Sequence, residues 1–426
     1  MFKGCVFMNV CIITLGCKVN TYESESLKEA FERAGYKIID DEKKADVIVI
    51  NTCTVTNQAD AKSRKLIRSA RRNNKDALLC VCGCSAQHNK GAWIDLDIDI
   101  LMGNGSKLKL VDYVKNYKNE KIRDFIDIRT STFENMNINN FEERTRGFVK
   151  IQDGCNNFCS YCIIPFVRGN IRSKDIDTAE EEINCLANNG YQEIVLTGIH
   201  TGSYGDGEDF DLVDLIRRVS KNPNLKRIRI SSIEITELDE KFMDELKNNS
   251  KLCDHMHVPI QAGSNHVLKL MNRKYNLEEY KAKINELRSI RPDINITTDL
   301  IVGFPEETDE DFEDSLKTAR EVGFSKIHTF PYSLRDGTKA ATLKQVNDTV
   351  KTNRTKRMLE LSDELESVYY KKFIGKTIPV LVEANNQGMS SNYIKVHLDT
   401  LCDHNTFVNV LITDVDGTNV KGHVIK

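Results

Sequence analysis

The chain lacks an excess of either charge: 60 basic residues stand against 63 acidic ones over 426 residues, a net charge of -3. That balance excludes a surface that is basic throughout, so any nucleic-acid contact must be local. Also missing is any apolar run near the roughly 20 residues that a membrane span needs. No membrane partner is expected, and the expected location is cytoplasmic. The opening MFKGCVFMNVCIITLGC has one lysine and a short apolar stretch, which fits a secretory leader poorly because it continues into a pattern that repeats twice downstream. Met8 is an alternative start, with the first seven residues as an extension. Paired cysteines in a short chain are absent too. Thirteen cysteines, an odd number in a long chain with several clustered beside glycine, favour reduced thiolate ligands over a disulfide framework.

The most informative absence is a fourth cysteine in one short run. Cys155, Cys159 and Cys162 form GCNNFCSYC, a C-x3-C-x2-C triplet with one thiolate too few to close a tetrahedral site. A structural zinc site is closed by four ligands, whereas three thiolates on a 4Fe-4S cluster leave one iron open to a small molecule. An open iron implies chemistry rather than scaffolding.

The length supports two or three domains, each able to bury a core. Residues 9–116 alternate apolar runs with amphipathic ones (VCIITLG, ESESLKEAFERAG, ADVIVIN, DAKSRKLIRSARRN, ALLCVCG), which predicts an open parallel α/β sheet with covering helices. Residues 117–146, with NINNFEERTR, lose that rhythm and are expected to be a linker. From Gly147 six strand-like runs recur at βα spacing: GFVKIQDG, EIVLTGI, RIRISSIE, HMHVPIQ, INITTDLIVGF and KIHTFPY. Six such units predict a partial (β/α)6 barrel over 147–370, with active-site residues at the carboxyl ends of its strands. A long helix is expected over Val350–Phe373, ending at Gly375 and Pro379. Short β runs in 371–426 then predict a small all-β barrel or sandwich, so the whole is an α/β chain with an all-β tail.

A second set of cysteines emerges from this layout. Cys17, Cys53 and Cys84 each sit just past the carboxyl end of a different predicted strand, the edge where open α/β sheets bind ligands. Their separations, 36 residues (17 to 53) and 31 (53 to 84), are about one βα unit each, so the three can converge. One reading is a second three-thiolate cluster. The other is that cysteine is a small apolar residue, the reading given to Cys5, Cys11, Cys185, Cys253 and Cys402. Cys80 and Cys82 alternate with Cys84 along one strand, and spacing assigns them no role.

GCNNFCSYC resembles the radical S-adenosylmethionine signature. LGCKVNTYES, NTCTVTNQAD and GCSAQ around the other three cysteines resemble the amino-terminal domain of the methylthiotransferases. FCSYCIIPFVRG, LTGIHTGSYG, HVPIQAGSN, DLIVGFPEET and FPYSLRDGTKAA resemble the rest of that family, in the same order over nearly the whole chain. Within it, LTGIHTGSYG and NTCTVTN look most like the branch that modifies N6-threonylcarbamoyladenosine beside the tRNA anticodon. The resemblance implies two 4Fe-4S clusters. The cluster on Cys155, Cys159 and Cys162 would cleave S-adenosyl-L-methionine to a 5'-deoxyadenosyl radical, and that on Cys17, Cys53 and Cys84 would carry the sulfur to be inserted at carbon 2 of adenine. It further implies a reduced electron donor such as flavodoxin or ferredoxin, and leaves the sulfur donor unnamed.

Further cofactor contacts are expected around that chemistry. Tyr161 matches a family aromatic that packs near the cofactor's adenine, although as bare sequence an aromatic there is more often core. Thr197 and Gly198 lie where the superfamily binds the cofactor's amino group through backbone, and glycine permits that approach. Glu234, Gln261 and Asp299 end later strands on the same face and equally fit helix caps or satisfied core polars. Asp153 and Arg168 resemble family residues without an assigned role, and His255 and His257 face one side of a strand.

RNA contacts are expected at two places. KSRKLIRSARRNNK has seven basic residues, Lys62, Arg64, Lys65, Arg68, Arg71, Arg72 and Lys75, and no acid. Helical spacing places Arg64, Arg68, Arg71 and Lys75 on one face, as phosphate ligands or simply as a solvated surface. The carboxy-terminal β region resembles the TRAM RNA-binding module, with Lys371, Lys372, Lys376 and Lys395 available to phosphates. Three rival functions remain at this point: the same chemistry on isopentenyladenosine or on a ribosomal protein aspartate, a one-cluster radical enzyme, and a zinc-stabilised RNA-binding protein without catalysis.

Overall fold

The computed structural model describes residues 8–88, 90–93, 96–141 and 145–425; the expectations placed on Cys5 and on Met8 as a start fall at or beyond that edge. Near-continuous apolar runs such as VIVINT, buried at every position, belong to strands covered on both faces. The first sheet is accordingly all parallel. Its strands are β1 (Asn9–Thr14), β2 (Lys37–Ile38), β3 (Val47–Thr52), β4 (Leu78–Gly83), β5 (Ile100–Met102) and β6 (Ile122–Asp124), in the order β2-β1-β3-β4-β5-β6. The helices α1 (Lys18–Arg33), α2 (Asn57–Asn73), α3 (Cys84–His88) and α4 (Lys109–Lys115) connect them. Cys80 and Cys82 pack with Val10, Val47, Val49 and Ile100 in the core on one face of this sheet. Burial pushes the Cys82 thiol up to about 12, so it is a neutral packing residue and not a ligand.

The stretch 117–146 is more than a linker. It supplies the edge strand β6, and beyond it Met136, Ile138 and Phe141 are buried against the central domain. Tyr22 on α1 donates to Glu182 at 2.7 Å and also bonds the Met136 carbonyl, which fixes this strap between the two domains. Asn-rich composition hid three apolar anchors that follow no helical or strand period.

Six further parallel strands follow in chain order as two three-stranded sheets. The first joins β7 (Gly147–Lys150) to β10 (Glu193–Thr197) and β11 (Arg227–Ile230), with β8 (Gln152–Asp153) and β9 (Arg172–Ser173) forming a separate short antiparallel pair. The second joins β12 (His255–His257), β13 (Asn295–Val302) and β14 (Lys326–Pro331). A single bridge, Ile228 to Leu252, connects the halves, so the barrel is partial as expected. Ile194, Leu196, Ile228, Ile230, Ile296, Leu300 and Ile327 belong to the core beneath the helices. Strand alternation turns Glu193, Thr197, Arg229, His255, His257, Thr297, Asp299 and His328 to the inner wall.

The last helix of the barrel runs Asp348–Lys371, and Gly375, at φ +81°, breaks the chain into the third domain. Five strands, β15 (Thr377–Glu383), β16 (Gln387–Ser390), β17 (Lys395–Leu398), β18 (Phe407–Asp416) and β19 (Asn419–Ile425), close into a small barrel. Its turn 390–393 plugs one end of the half-barrel. Arg229 donates to the Ser391 and Ser390 carbonyls at 3.1 and 3.2 Å, Asn295 donates to the Asn392 carbonyl at 2.7 Å, and the Tyr393 ring stacks on His255 at 4.6 Å.

Candidate active site

The triplet loop is held at its base and at its glycine. Pairing of Gln152 with Ser173 and Asp153 with Arg172 pins both ends of residues 154–171. Gly154 has φ +74°, and a Cβ there would run into the Asn170 carbonyl, so only glycine lets the chain turn into Cys155. The Cys155 amide then donates to the Gly169 carbonyl at 3.1 Å, and the Cys162 amide to the Cys159 carbonyl at 3.0 Å. Arg273 Nη1 donates to Cys159 Sγ at 3.3 Å. Burial pushes the Cys162 thiol up to about 12, with Cys159 and Cys155 adding to the rise, so thiolates here require a bound cation.

No fourth ligand completes the triplet among the described residues. His200 is the imidazole beside Cys155, yet its Nε2 faces Glu237 at 2.8 Å and its Nδ1 faces Ser203 Oγ at 2.8 Å. Burial opposes its protonation, but hydrogen bonds to Cys155 and Glu237 carry it up to about 10, so the ring is a cation and not a ligand. An all-sulfur set of three, with a cation beside it, fits an open 4Fe-4S cluster and not a closed zinc site.

The other three cysteines meet at the carboxyl edge of the first sheet. Cys17 is the N-cap of α1, Cys53 follows β3, and Cys84 opens α3 after β4. Gly16, at φ +113°, lies so close that a Cβ would come within 3.0 Å of Cys53 Sγ, and Gly83, at φ +101°, is pressed on the Thr52 backbone. Asn20 donates to the Leu15 and Thr52 carbonyls at 2.7 and 3.0 Å and so staples the two strand ends. Burial pushes the Cys53 thiol up to about 11, and Cys84 and Cys17 are near enough to add to it. Glycine at positive φ thus precedes Cys17, Cys84 and Cys155 alike.

A buried charge network joins the two cysteine sets. Arg168, fully buried, donates through Nε to Cys84 Sγ at 3.2 Å, and through its terminal nitrogens to Asn20 at 2.7 Å, Glu23 at 2.9 Å and Asp153 at 3.0 Å. Lys150 bridges the same two carboxylates at 2.7 and 2.6 Å, and Lys107 bonds Glu23 as well. Arg172 also approaches Asp153, at 3.6 Å, so four cations face these two carboxylates. The surplus positive charge lies beside Cys84, where it favours a bound anionic cluster.

The remaining expected site residues fall into distinct environments. The Tyr161 ring packs edge-on to Phe304 at 6.3 Å, in range of Arg273 and Glu234. Thr197 accepts from the Ile151 amide at 2.9 Å, and Gly198 leaves room for Gln152, whose Oε1 accepts from the His200 amide at 2.7 Å. Glu234 caps a 3-10 turn and is paired with Arg273, so part of its role is structural. Gln261 stands in left-handed conformation, φ +66°, where a non-glycine residue is strained, and its amide donates to the Asp299 carbonyl at 2.9 Å. Asp299 faces His257 at 3.3 Å on the inner wall.

One basic residue leaves the RNA-facing set. Arg71 donates to Asp99 at 2.6 Å, to the Lys75 and Ala77 carbonyls at 3.0 and 2.8 Å, and to the Asp97 carbonyl at 3.0 Å, so it fastens α2 to the sheet. Helical spacing could not show that the next loop brings two aspartates to it. Lys75 lies past the end of α2, exposed, while Arg64 and Arg68 have no acidic partner among the described residues. Lys372 lies over the Tyr369 ring at 5.7 Å, and Lys376 is shared between Asp293 at 2.9 Å and the Phe373 ring.

Sequence reading gave Arg273, Gln152 and Arg335 no role. Arg335 reaches from the barrel into the loop after Cys53, donating to Asn57 at 2.7 Å, Asp60 at 2.6 Å and Thr54 at 2.5 Å. Only the position of SLRDG just after the sixth barrel strand hinted at a contact.

A partial parallel barrel with an open three-cysteine loop at its strand ends defines a radical S-adenosylmethionine enzyme. Residues 149–319 match the Radical SAM superfamily, and residues 9–103 match a family described as Uncharacterized protein family UPF0004. Threonylcarbamoyladenosine tRNA methylthiotransferase MtaB of Bacillus subtilis is 41% identical over 91% of this chain and 89% of its own. The protein of the same name from Thermotoga maritima is 38% identical, covering 88% and 86%. A tRNA-2-methylthio-N(6)-dimethylallyladenosine synthase of Alkaliphilus oremlandii is 33% identical over 97% and 92%. Among solved structures, the radical S-adenosylmethionine methyltransferase TsrM from Kitasatospora setae shares the fold at a TM-score of 0.58 and 16% identity, over 79% of this chain and 77% of that one. The chain belongs to the radical S-adenosylmethionine methylthiotransferase family. Membership brings S-adenosylmethionine and a 4Fe-4S cluster as cofactors.

Proposed function

We propose that this enzyme places a methylthio group on carbon 2 of N6-threonylcarbamoyladenosine next to the anticodon of tRNA. Cys155, Cys159 and Cys162 would hold the cluster that binds S-adenosylmethionine, and Cys17, Cys53 and Cys84 a second 4Fe-4S cluster with its own open iron. When bound, the first supplies the electron for cofactor cleavage and the second the sulfur. The chain's own part is orientation. Gly154 and the β8–β9 pair fix the first loop, Gln152 ties it to Gly198 and His200, and Arg168 holds Cys84 against the base of that loop.

The observation that favours this substrate over a prenylated adenosine is the chemistry of the inner wall. His257, Asp299 and His328 bring their ligating atoms within 4.8 Å of one another beside Tyr393 and Arg229. Such a wall offers hydrogen bonds to a polar modification. The named relatives support the same reading. Arg64, Arg68 and Lys75 at α2, and Lys372 with Lys376 at the small barrel, would meet tRNA phosphates, and the target base would leave its stack to reach the lumen. A reduced flavodoxin or ferredoxin would feed the first cluster, in the cytoplasm. Nucleoside mass analysis of tRNA from a deletion strain tests the reading. The expected result is loss of 2-methylthio-N6-threonylcarbamoyladenosine with accumulation of its unthiolated parent; loss of the isopentenyl counterpart instead would overturn it.

A further inference from the structure

Residues 333–340, in the loop that leaves β14, touch both cysteine sets. At one end, Ser333 Oγ accepts from the Asn57 amide at 3.0 Å. Arg335, buried with 3% of its surface exposed, sends its two terminal nitrogens to three acceptors, Asn57 at 2.7 Å, Thr54 at 2.5 Å and Asp60 at 2.6 Å. All three acceptors lie in 54–60, directly after Cys53. The other carboxylate oxygen of Asp60 accepts from Ser85, the residue after Cys84. At the far end of the loop, the Ala340 amide donates at 2.7 Å to the carbonyl of Ser160, which stands between Cys159 and Cys162.

The span between those ends is itself held in place. Thr338 folds back onto the Arg335 carbonyl through its amide, at 3.1 Å, and its hydroxyl, at 2.7 Å, and both Thr338 and Ala340 are buried. A 3-10 turn over Lys339–Thr342 then closes the segment. A connection bonded in this way passes a displacement on instead of absorbing it. The residue type fits a geometric role as well. A planar fork reaches three acceptors with two nitrogens, whereas the ammonium of lysine is a single point charge. A buried ion pair adds little net stability over apolar packing, and Arg335 Nε is left without a partner among the described residues, so stability alone does not account for a guanidinium here.

We propose that Arg335 is a positioning residue that sets the loops after Cys53 and Cys84 against the triplet loop, and so aligns the sulfur-carrying site with the radical-forming one. This rests on the reading above that Cys17, Cys53 and Cys84 hold a second cluster. Arg168 ties the two sets at the base of the triplet loop, through Cys84 and Asp153. Arg335 and its loop tie them again within the triplet, through Asp60 and Ser160. Two ties at different points fix an orientation that a single tie leaves free to pivot. Without the second, cofactor cleavage continues while less of it ends in product.

The test places Arg335→Met and Arg335→Lys in the wild-type enzyme, and Arg335→Met in two cluster-depleted backgrounds, Cys155→Ala with Cys159→Ala and Cys162→Ala, or Cys17→Ala with Cys53→Ala and Cys84→Ala. In otherwise wild-type enzyme, 5'-deoxyadenosine formed per methylthio nucleoside should rise about tenfold to a hundredfold with methionine, and less with lysine, at unchanged iron content. In the reduced cluster-depleted proteins, the electron paramagnetic resonance spectrum of the site on Cys17, Cys53 and Cys84 should change with Arg335→Met, whereas that of the site on Cys155, Cys159 and Cys162 should not. A substitution that only loosened the fold would disturb both spectra and lower iron at both sites. That result, or an unchanged ratio of 5'-deoxyadenosine to product, overturns the proposal. Absence of iron from the background that lacks Cys155, Cys159 and Cys162 overturns the two-cluster reading itself, a result separable from any effect of Arg335.

Discussion

Replacing Cys17, Cys53 and Cys84 together with alanine is expected to separate the two halves of the chemistry. The variant should still cleave S-adenosylmethionine to 5'-deoxyadenosine, because the triplet loop is pinned by β8, β9 and Gly154 and none of those contacts involves the three substituted thiols. Methylthio product should vanish, a loss of at least about a thousandfold, since no other described thiol stands at that sheet edge to carry sulfur. Cys80 and Cys82 cannot substitute. They face the core on β4, and Cys82 is a neutral thiol with its pKa near 12. Coupled assays for 5'-deoxyadenosine and modified nucleoside in the same reaction read both outcomes. Retained product would place the sulfur elsewhere; loss of both would make the second set a structural support for the first.

Arg168→Met should be among the most destabilising single changes in the chain. It removes a fully buried guanidinium and leaves Glu23 and Asp153 with fewer cations in a site without water access. Breaking a buried pair in this way costs about 3–5 kcal/mol. Burial alone would raise both carboxyls. Arg168 acts most strongly against it, aided by Lys107 and Lys150 at Glu23 and by Lys150 and Arg172 at Asp153, and both are held below their ordinary range. Depressed carboxyls stabilise the fold fully above their unfolded values near pH 4, and that stabilisation is lost as pH falls through their folded values. Urea midpoints measured between pH 7 and pH 3 should therefore fall steeply in the wild type and more gently in the variant. A midpoint unchanged by the substitution would show that the network does not hold the domains together.

Much of this site can be read in the sequence because its parts are local. GCNNFCSYC is one loop, and the six barrel strands announce themselves as β-branched runs at even spacing. The meeting of Cys17, Cys53 and Cys84 follows from a topological rule, since parallel strands in one sheet present their carboxyl ends to one edge. Partners distant in sequence are another matter. Nothing in the chain ties Arg273 to Cys159 across 114 residues, or Arg71 to the aspartates of the loop beyond β4. β16 was unreadable for a different reason: QGMS has no β-branched or aromatic residue, and it is a strand only because β15 and β17 pair on either side of it. The strap around Met136 carries three buried apolar side chains at irregular spacing, and periodicity is the signal that sequence reading depends on.

Iron, acid-labile sulfide and zinc measured in the anaerobically reconstituted wild-type protein test the two-site account most directly. Two open 4Fe-4S clusters predict about eight irons and about eight sulfides per chain, with zinc absent. About four irons would mean that Cys17, Cys53 and Cys84 hold no cluster, and zinc in place of iron would contradict the redox reading of both sites.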